Sequence, residues 1–482
     1  MQYHSTRSCE PCVDSAQAVL LGLAGDGGLY LPAQLPAFDW RDCLTGDTFS
    51  MAERILSAFL PDIPDMGSLV SRAYTGKFET GDLTPTVRVG DFTVLELFRG
   101  PTSAFKDVAL SMLPQLMTAA KTAKGMTEDI LILTATSGDT GKAALEGFRD
   151  VPGTAIVVFY PEEGVSEIQR RQMVTQPGGN IWVAAVKGNF DDAQTGVKEI
   201  FAALPNTRKA ALSSANSINI GRLAPQIIYY WHAWASLCRQ GKISPQEPVN
   251  FVVPTGNFGD ILAGYFAKCM GLPVGRLVCA SNANDVLTDF LTTGRYDRRR
   301  PFYKTISPSM DILVSSNLER LLYLASGGDD TMVAQKMKEL SRRGFYEIAP
   351  ALLNTLQQTF LCGCCDDGKT AETIRDVWER EHYLLDPHTA VAWAVAEQHR
   401  SELTGPTVVL STASPYKFAP AVLAALGQDV PKDAFDAMEK LHELTGTDIP
   451  APLAELAGLP VRHRDCIAKE EMLPYVRSRM EG

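Results

Sequence analysis

At 482 residues the chain exceeds what one ordinary hydrophobic core can hold, so two or three domains are expected. Its residues are 45% hydrophobic and 21% charged, as in globular proteins, and no run of about 20 apolar residues offers a membrane span. The formal charge of −11, from 45 basic and 56 acidic residues, argues against nucleic acid or an anionic membrane as a partner but leaves room for a locally basic pocket.

The first residues, "MQYHSTRSCEPCVDS", show no basic stretch leading into an apolar core, so no secretory signal is read. The 10 cysteines are then expected to be reduced thiols of the cytoplasm. Cys9 and Cys12 form a C-x-x-C without a second pair at zinc-ribbon spacing, and Cys362, Cys364 and Cys365 stand in "CGCC". No metal site is expected at either. Residues 1–90, with Pro- and Gly-rich turns around short helices, read as a separate N-terminal layer.

Next comes "ELFRGPTSAFKDVAL" (96–110), in which Pro101, Thr102 and Ser103 look like turn and cap residues ahead of an apolar helix. Lys106 sits where that helix starts and turns inward. By itself it reads more plainly as a lysine whose stem covers apolar surface while its ammonium reaches water. From about residue 130, short apolar runs alternate with helical patterns: 130–135, 154–160, 180–186, 209–214, 249–254, 276–281 and 407–412 are the expected strands. Buried strands alternating with helices mean an α/β protein with a mostly parallel sheet. Residues 300–405 read as largely helical and polar, and the last ~50 as helical packing.

In open α/β sheets chemistry collects beyond the carboxyl ends of strands. "TSGDTGK" (136–142) fails as a P-loop, because Thr136 stands where a glycine and Ala143 where a hydroxyl residue would be needed. What remains is a polar rim of Thr136, Ser137, Asp139 and Thr140. "PTGNFGD" (254–260) is a glycine-bearing loop entering a helix, suited to an anion or equally to a plain tight turn. "SANSINIGRLAPQ" (214–226) puts Arg222 in a first helical turn, poor for the helix dipole but apt for gripping a phosphate or carboxylate. Capping by Ser217 or Asn219 is the plainer alternative there. His388 in "LLDPHTAVAW" reads as a residue of a helix start more than as a catalytic base.

Taken together, these segments resemble the fold-type II pyridoxal-phosphate enzymes, and among them the threonine synthases of the longer bacterial and fungal kind. The resemblance runs from "GLAGDGGLYLP" (22–32) through "ELFRGPTSAFKDVAL", "TATSGDTGKAALEGF", "NSINIGRLAPQIIYY", "VPTGNFGDILAGYFAKCMGLPV" and "SPSMDILVSSNLERLLY" to "STASPYKF". It implies a tryptophan-synthase-β-like α/β fold: two open, mostly parallel sheets flanked by helices, with a family-specific N-terminal layer. The implied domains are 1–90, a catalytic core over 91–430 with a smaller subdomain at about 100–220, and a helical segment over 431–482.

The resemblance further implies that Lys106 holds pyridoxal 5'-phosphate as a Schiff base. It places Gly256, Asn257, Phe258, Gly259 and Asp260 around the cofactor phosphate, Asp139 beside its 3′-oxygen and Thr412 at its ring nitrogen. Asn216, Ser217 and Arg222 match the grip on a substrate phosphate, and Ser137 and Thr140 the loop for the substrate carboxylate. The implied reaction converts O-phospho-L-homoserine and water to L-threonine and phosphate. A phospholyase or a serine/threonine dehydratase on the same scaffold is the nearest alternative, and a non-catalytic scaffold a more remote one. The implied assembly is a monomer or homodimer. One departure stands out: Ser414 occupies a place where many relatives carry histidine, so a role for that histidine does not transfer.

Overall fold

The computed structural model describes residues 1–136, 138–163, 165–204 and 210–481. Two sheets organise them. One has five parallel strands, ordered Asp465–Ile467, Ile181–Val186, Thr154–Pro161, Asp129–Ala135 and Ala210–Ser213. The other has six strands, ordered Phe360–Cys364, Val274–Ser281, Val249–Pro254, Thr407–Ser411, Phe92–Glu96 and Thr86–Val89; only the last is antiparallel. Strands such as "VNFVVP" are buried along their whole length, which is why they read as unbroken apolar runs rather than alternating ones.

All seven expected strands are present, within a residue or two at each end; Lys209, the first residue of one expectation, lies outside the described residues. The α/β reading with two mostly parallel sheets is borne out. Three features exceed the expectation. The N-terminal layer contains a three-stranded antiparallel sheet, Ser8–Asp14, Gln2–Ser5 and Tyr30–Pro32, besides its helices. The stretch 300–405 contributes an edge strand, Phe360–Cys364, to the six-stranded sheet. The C-terminal stretch also carries a strand, since Asp465–Ile467 pairs in parallel with Ile181–Val186. That strand is three residues long and half polar, too short to show a period.

Helices cover both sheets. The pattern over 218–238 reads as one helix but is three pieces: Ile220–Leu223, a 3₁₀ turn at Ala224–Gln226 and Ile227–Arg239. Pro225 in the middle has no N–H to donate and breaks the ladder. The longest helix, Lys106–Ala123, buries Val108, Leu110, Met112, Leu113, Leu116 and Met117 against the N-terminal layer and the helix Asp139–Phe148. Lys106 is thus the first residue of a helix whose far side is core.

Candidate functional site

The loop that delivers Lys106 is held by its own acid. No side chain caps the helix start; instead Asp107 reaches back and accepts from the Thr102 N–H at 2.9 Å and the Thr102 hydroxyl at 2.5 Å. Thr102 and Ser103 are therefore not the helix caps expected from their position. The Phe105 N–H donates to the Thr412 carbonyl at 2.9 Å, and Ala104 bridges Ala413, so the loop is stitched to the chain leaving the central strand Thr407–Ser411. Burial lifts the Asp107 carboxyl to about 6 against its bonds from Thr102.

Lys106 itself is enclosed, its side chain 11% exposed, with Nζ 4.8 Å from the centre of the Phe105 ring. Burial pushes its amine below the usual lysine value; Asp139 resists, while Lys417 and Arg222 push it further down. The nearest carboxylate oxygen, Oδ2 of Asp139, is 3.7 Å away. A buried lysine at this distance from its acid is not locked as an ammonium, which is the condition for a nucleophilic amine.

Asp139 opens the helix Asp139–Phe148, just beyond a strand of the five-stranded sheet. Gly138 before it sits at φ +149, and a Cβ there would lie 2.5 Å from Gln169, so only glycine serves. Oδ1 accepts from Lys417 Nζ at 2.5 Å and Gln169 Nε2 at 2.8 Å, and Oδ2 faces the Ser309 hydroxyl at 3.5 Å. Burial alone would favour the neutral acid, but Lys417, Lys106 and Gln169 hold this carboxyl far below the usual carboxylate range. Lys417 and Ser309 come from segments packed on the six-stranded sheet, so the contact spans both sheets.

The loop after Val249–Pro254 turns through Phe258 at φ 61 into the helix Gly259–Cys269. A Cβ on Gly256 would meet the Ser309 carbonyl at 2.8 Å, so the backbone runs bare here and ends at a helix N-terminus with unspent N–H groups. The Asn257 carbonyl accepts from Asn317 through both its N–H and Nδ2, at 3.1 Å each. Asp260 turns its carboxylate away into the core, where Tyr229 and Tyr230 hydroxyls donate at 2.6 and 2.9 Å. Burial raises it to about 6 against those bonds. Only its backbone is offered to the loop.

Arg222 is 3% exposed. One Nη donates to the Ala215 carbonyl, and Nε meets no acceptor among the described residues. No carboxylate among the described residues pairs with it; burial pulls it down to about 10, still charged at neutral pH. The helix cap here is Asn219, which accepts from the Gly221 N–H at 2.8 Å, leaving Asn216 and Ser217 half-exposed on the same loop. Holding an uncompensated charge out of water costs several kcal/mol, about what an anionic ligand would return.

The structure thus gathers Lys106, Asp139, Arg222, Thr412 and the loops bearing Asn216, Ser217 and Gly256–Asp260. Thr140 lies half-buried in the first turn after Asp139; Ser137 lies outside the described residues. Ser414 is buried and accepts from the Tyr416 N–H at 3.3 Å, as the cap of a 3₁₀ turn. His388 lies between Asp386, 2.8 Å from its Nδ1, and the Ser309 N–H, which donates to its Nε2 at 3.1 Å, so it buttresses Ser309.

Comparison with known proteins agrees with this geometry. The family model described as "Pyridoxal-phosphate dependent enzyme" matches residues 83–352, that for "Threonine synthase N terminus" residues 2–74 and that for "Threonine synthase, C-terminal" residues 389–471. The threonine synthase of Pseudomonas aeruginosa is 39% identical over 96% of this chain and 98% of its own length. The chain belongs to the threonine synthase family. The PLP-bound threonine synthase structure from Brucella melitensis superposes with a TM-score of 0.89 and 39% identity, covering all of both chains. Human threonine synthase-like 1 is 40% identical over 87% of this chain, which spans only 59% of that longer protein.

Pyridoxal phosphate, the cofactor of this family, brings an aldehyde, a phenolic oxygen and a phosphate dianion. The residues present fit it: a buried amine with a lowered proton affinity, a carboxylate held ionised beside it, and a bare glycine loop ending at a helix N-terminus. Sequence reasoning missed Lys417, Gln169, Ser309 and Asn317. Lys417 and Ser309 lie inside quoted segments, "STASPYKF" and "SPSMDILVSSNLERLLY", but a lysine or serine after a turn signals nothing until the two sheets are docked.

Proposed function

We propose that this chain is a threonine synthase that converts O-phospho-L-homoserine and water to L-threonine and phosphate. The observation that carries the reading is a buried guanidinium, Arg222, which meets no anionic partner among the described residues and bears electrostatically on the enclosed Lys106. When bound, pyridoxal phosphate would supply an electron sink for proton removal at the substrate's α- and β-carbons and departure of phosphate from Cγ. Lys106 Nζ would hold the cofactor and, once released, move protons: one leaves the substrate Cα, one leaves Cβ as phosphate departs from Cγ, and one is delivered to Cγ. The enclosed setting keeps that amine from being levelled by bulk water.

In this reading Gly256, Asn257, Phe258, Gly259 and Asp260 hold the cofactor phosphate through the loop backbone, Asp139 faces its 3′-oxygen and Thr412 its ring nitrogen. Thr412 brings a hydroxyl rather than a carboxylate to that nitrogen. Arg222 with Asn216 and Ser217 grips the substrate phosphate before and after it leaves Cγ, and Ser137 with Thr140 takes the α-carboxylate. Water adds at Cβ. The domains in this reading are an N-terminal unit over 1–90, a core over 91–430 with a smaller subdomain at about 100–220, and a segment over 431–482, whose strand Asp465–Ile467 pairs with Ile181–Val186. Ten free thiols favour the cytoplasm.

The test is product analysis of the holoprotein given O-phospho-L-homoserine in ¹⁸O-water. Phosphate and threonine in equal amounts, with the label in the threonine hydroxyl, are expected. Phosphate with 2-oxobutyrate would move the reading to a phospholyase, and no phosphate release would remove it.

A further inference from the structure

We propose that Lys417 is the resident counterion of Asp139, and that by neutralising this acid it frees Lys106 to stand as an uncharged amine. The proposal rests on the reading that Lys106 captures the cofactor.

Lys417 has no exposed side-chain surface. Its ammonium donates to Asp139 Oδ1 at 2.5 Å and to the Thr102 carbonyl at 3.1 Å, tying the acid to the loop that carries Lys106. Lys106 is the more distant cation, at 3.7 Å from Oδ2. Two cations therefore compete for one carboxylate, and the closer, fully buried one holds it. Gln169 and Ser309 add only neutral donors, at 2.8 and 3.5 Å. Were Lys417 absent, a buried carboxylate would face Lys106 as the only close cation among the described residues and would hold it as an ammonium.

The other charges around the pair do not replace Lys417. Arg222 bears on Lys106 with the same sign as Lys417, and Lys106 in turn acts on the buried Asp260, whose Oδ1 takes two tyrosine hydroxyls. Asp107 and Lys142 face Lys417 from the helices Lys106–Ala123 and Asp139–Phe148, but Asp107 is bonded to Thr102 and Lys142 to Gln176.

Capture joins Nζ to the aldehyde carbon as a carbon–nitrogen double bond and releases one water, which takes the aldehyde oxygen and both amine protons. An ammonium cannot make that attack. The rate of capture therefore reports how much Lys106 is uncharged at a given pH.

The experiment strips cofactor from the full-length protein with hydroxylamine and follows uptake of pyridoxal phosphate by absorbance, from about pH 6 to about pH 10, bracketing an ordinary and a lowered lysine. It compares wild type with Lys417→Gln, Lys417→Arg, Asp139→Asn and the double variant Lys417→Gln/Asp139→Asn. The midpoint is expected to rise in Lys417→Gln, slowing uptake at pH 7 about tenfold for each unit moved. It stays near wild type in Lys417→Arg, falls in Asp139→Asn and returns toward wild type in the double variant. An unchanged or lowered midpoint in Lys417→Gln overturns the proposal.

If Lys417→Gln does not fold, the double variant against Asp139→Asn asks the same question, and equal midpoints there overturn it. Borohydride reduction and peptide mapping accompany each sample. A label that persists in Lys106→Ala would remove the underlying reading, whereas a label on Lys106 with unmoved midpoints removes only the role of Lys417.

Discussion

Two arginines are buried among the described residues, Arg222 and Arg320, and they are solvated by the protein in opposite ways. Arg320 spends its guanidinium on the Tyr30 carbonyl at 3.0 Å, the Ile218 carbonyl at 2.6 Å and Asn317 Oδ1. Asn317 in turn donates to the Ser217 and Asn257 carbonyls, at 3.2 and 3.1 Å. Arg320 is thus a structural cation that ties the N-terminal layer to the loops of Ser217 and Asn257. Arg222 has one carbonyl and an idle Nε. Burial alone does not separate the two; the unspent donor of Arg222 is what calls for a ligand in the proposed reading.

The largest expected effect separates the two by what is lost. Arg222→Met should lower kcat/KM for O-phospho-L-homoserine by about 10³-fold or more, the scale for removing one side of a buried charged contact. Its thermal stability without substrate should hold or rise by about 1 kcal/mol, because an uncompensated charge is removed. Arg320→Met should do the reverse in calorimetry. Three acceptors lose a buried donor at about 1 kcal/mol or more each, so a loss of about 3 kcal/mol is expected. Were Arg222→Met the less stable protein, the distinction between them would be gone.

A parallel pair of acids gives a smaller effect. Asp139 is fully bonded and held below the usual range, whereas Asp260 keeps an unbonded Oδ2 and is raised to about 6. A raised acid loses its proton first in the unfolded chain, so stability falls as pH climbs from about 4 to about 6. Asp260→Asn should flatten that fall by about 1–2 kcal/mol in denaturation at the two pH values, leaving the part due to Asp107. Asp139 acts with the opposite sign, its contribution being present above about pH 4 and lost in stronger acid. The smallest effect is a rise in Tm of the wild type with millimolar phosphate, about 1 kcal/mol at a few times Kd, absent from Arg222→Met.

Much of this was visible in the chain itself. The seven strands announce themselves because both faces are buried, and Lys106, Asp139, Arg222 and the glycine loop sit at strand ends where topology brings them together. Less visible were contacts that depend on docking one sheet against the other. Lys417 lies 278 residues from Asp139, and Ser309 170, and neither spacing is periodic. Asp260 was legible only in part: its place in the loop is evident from the sequence, but that its side chain turns to two tyrosines is not. The strand Asp465–Ile467 was hidden because three half-polar residues carry no pattern.

Of three lysines in this cluster, Lys142 and Lys417 are buried and Lys106 is largely enclosed, and only Lys106 is proposed to take the cofactor. The most direct measurement reduces the holoprotein with borohydride and maps the pyridoxyl mass on its peptides. A single label on Lys106 is expected, lost in Lys106→Ala. A label on Lys142 or Lys417, or none after incubation with pyridoxal phosphate, would contradict the account.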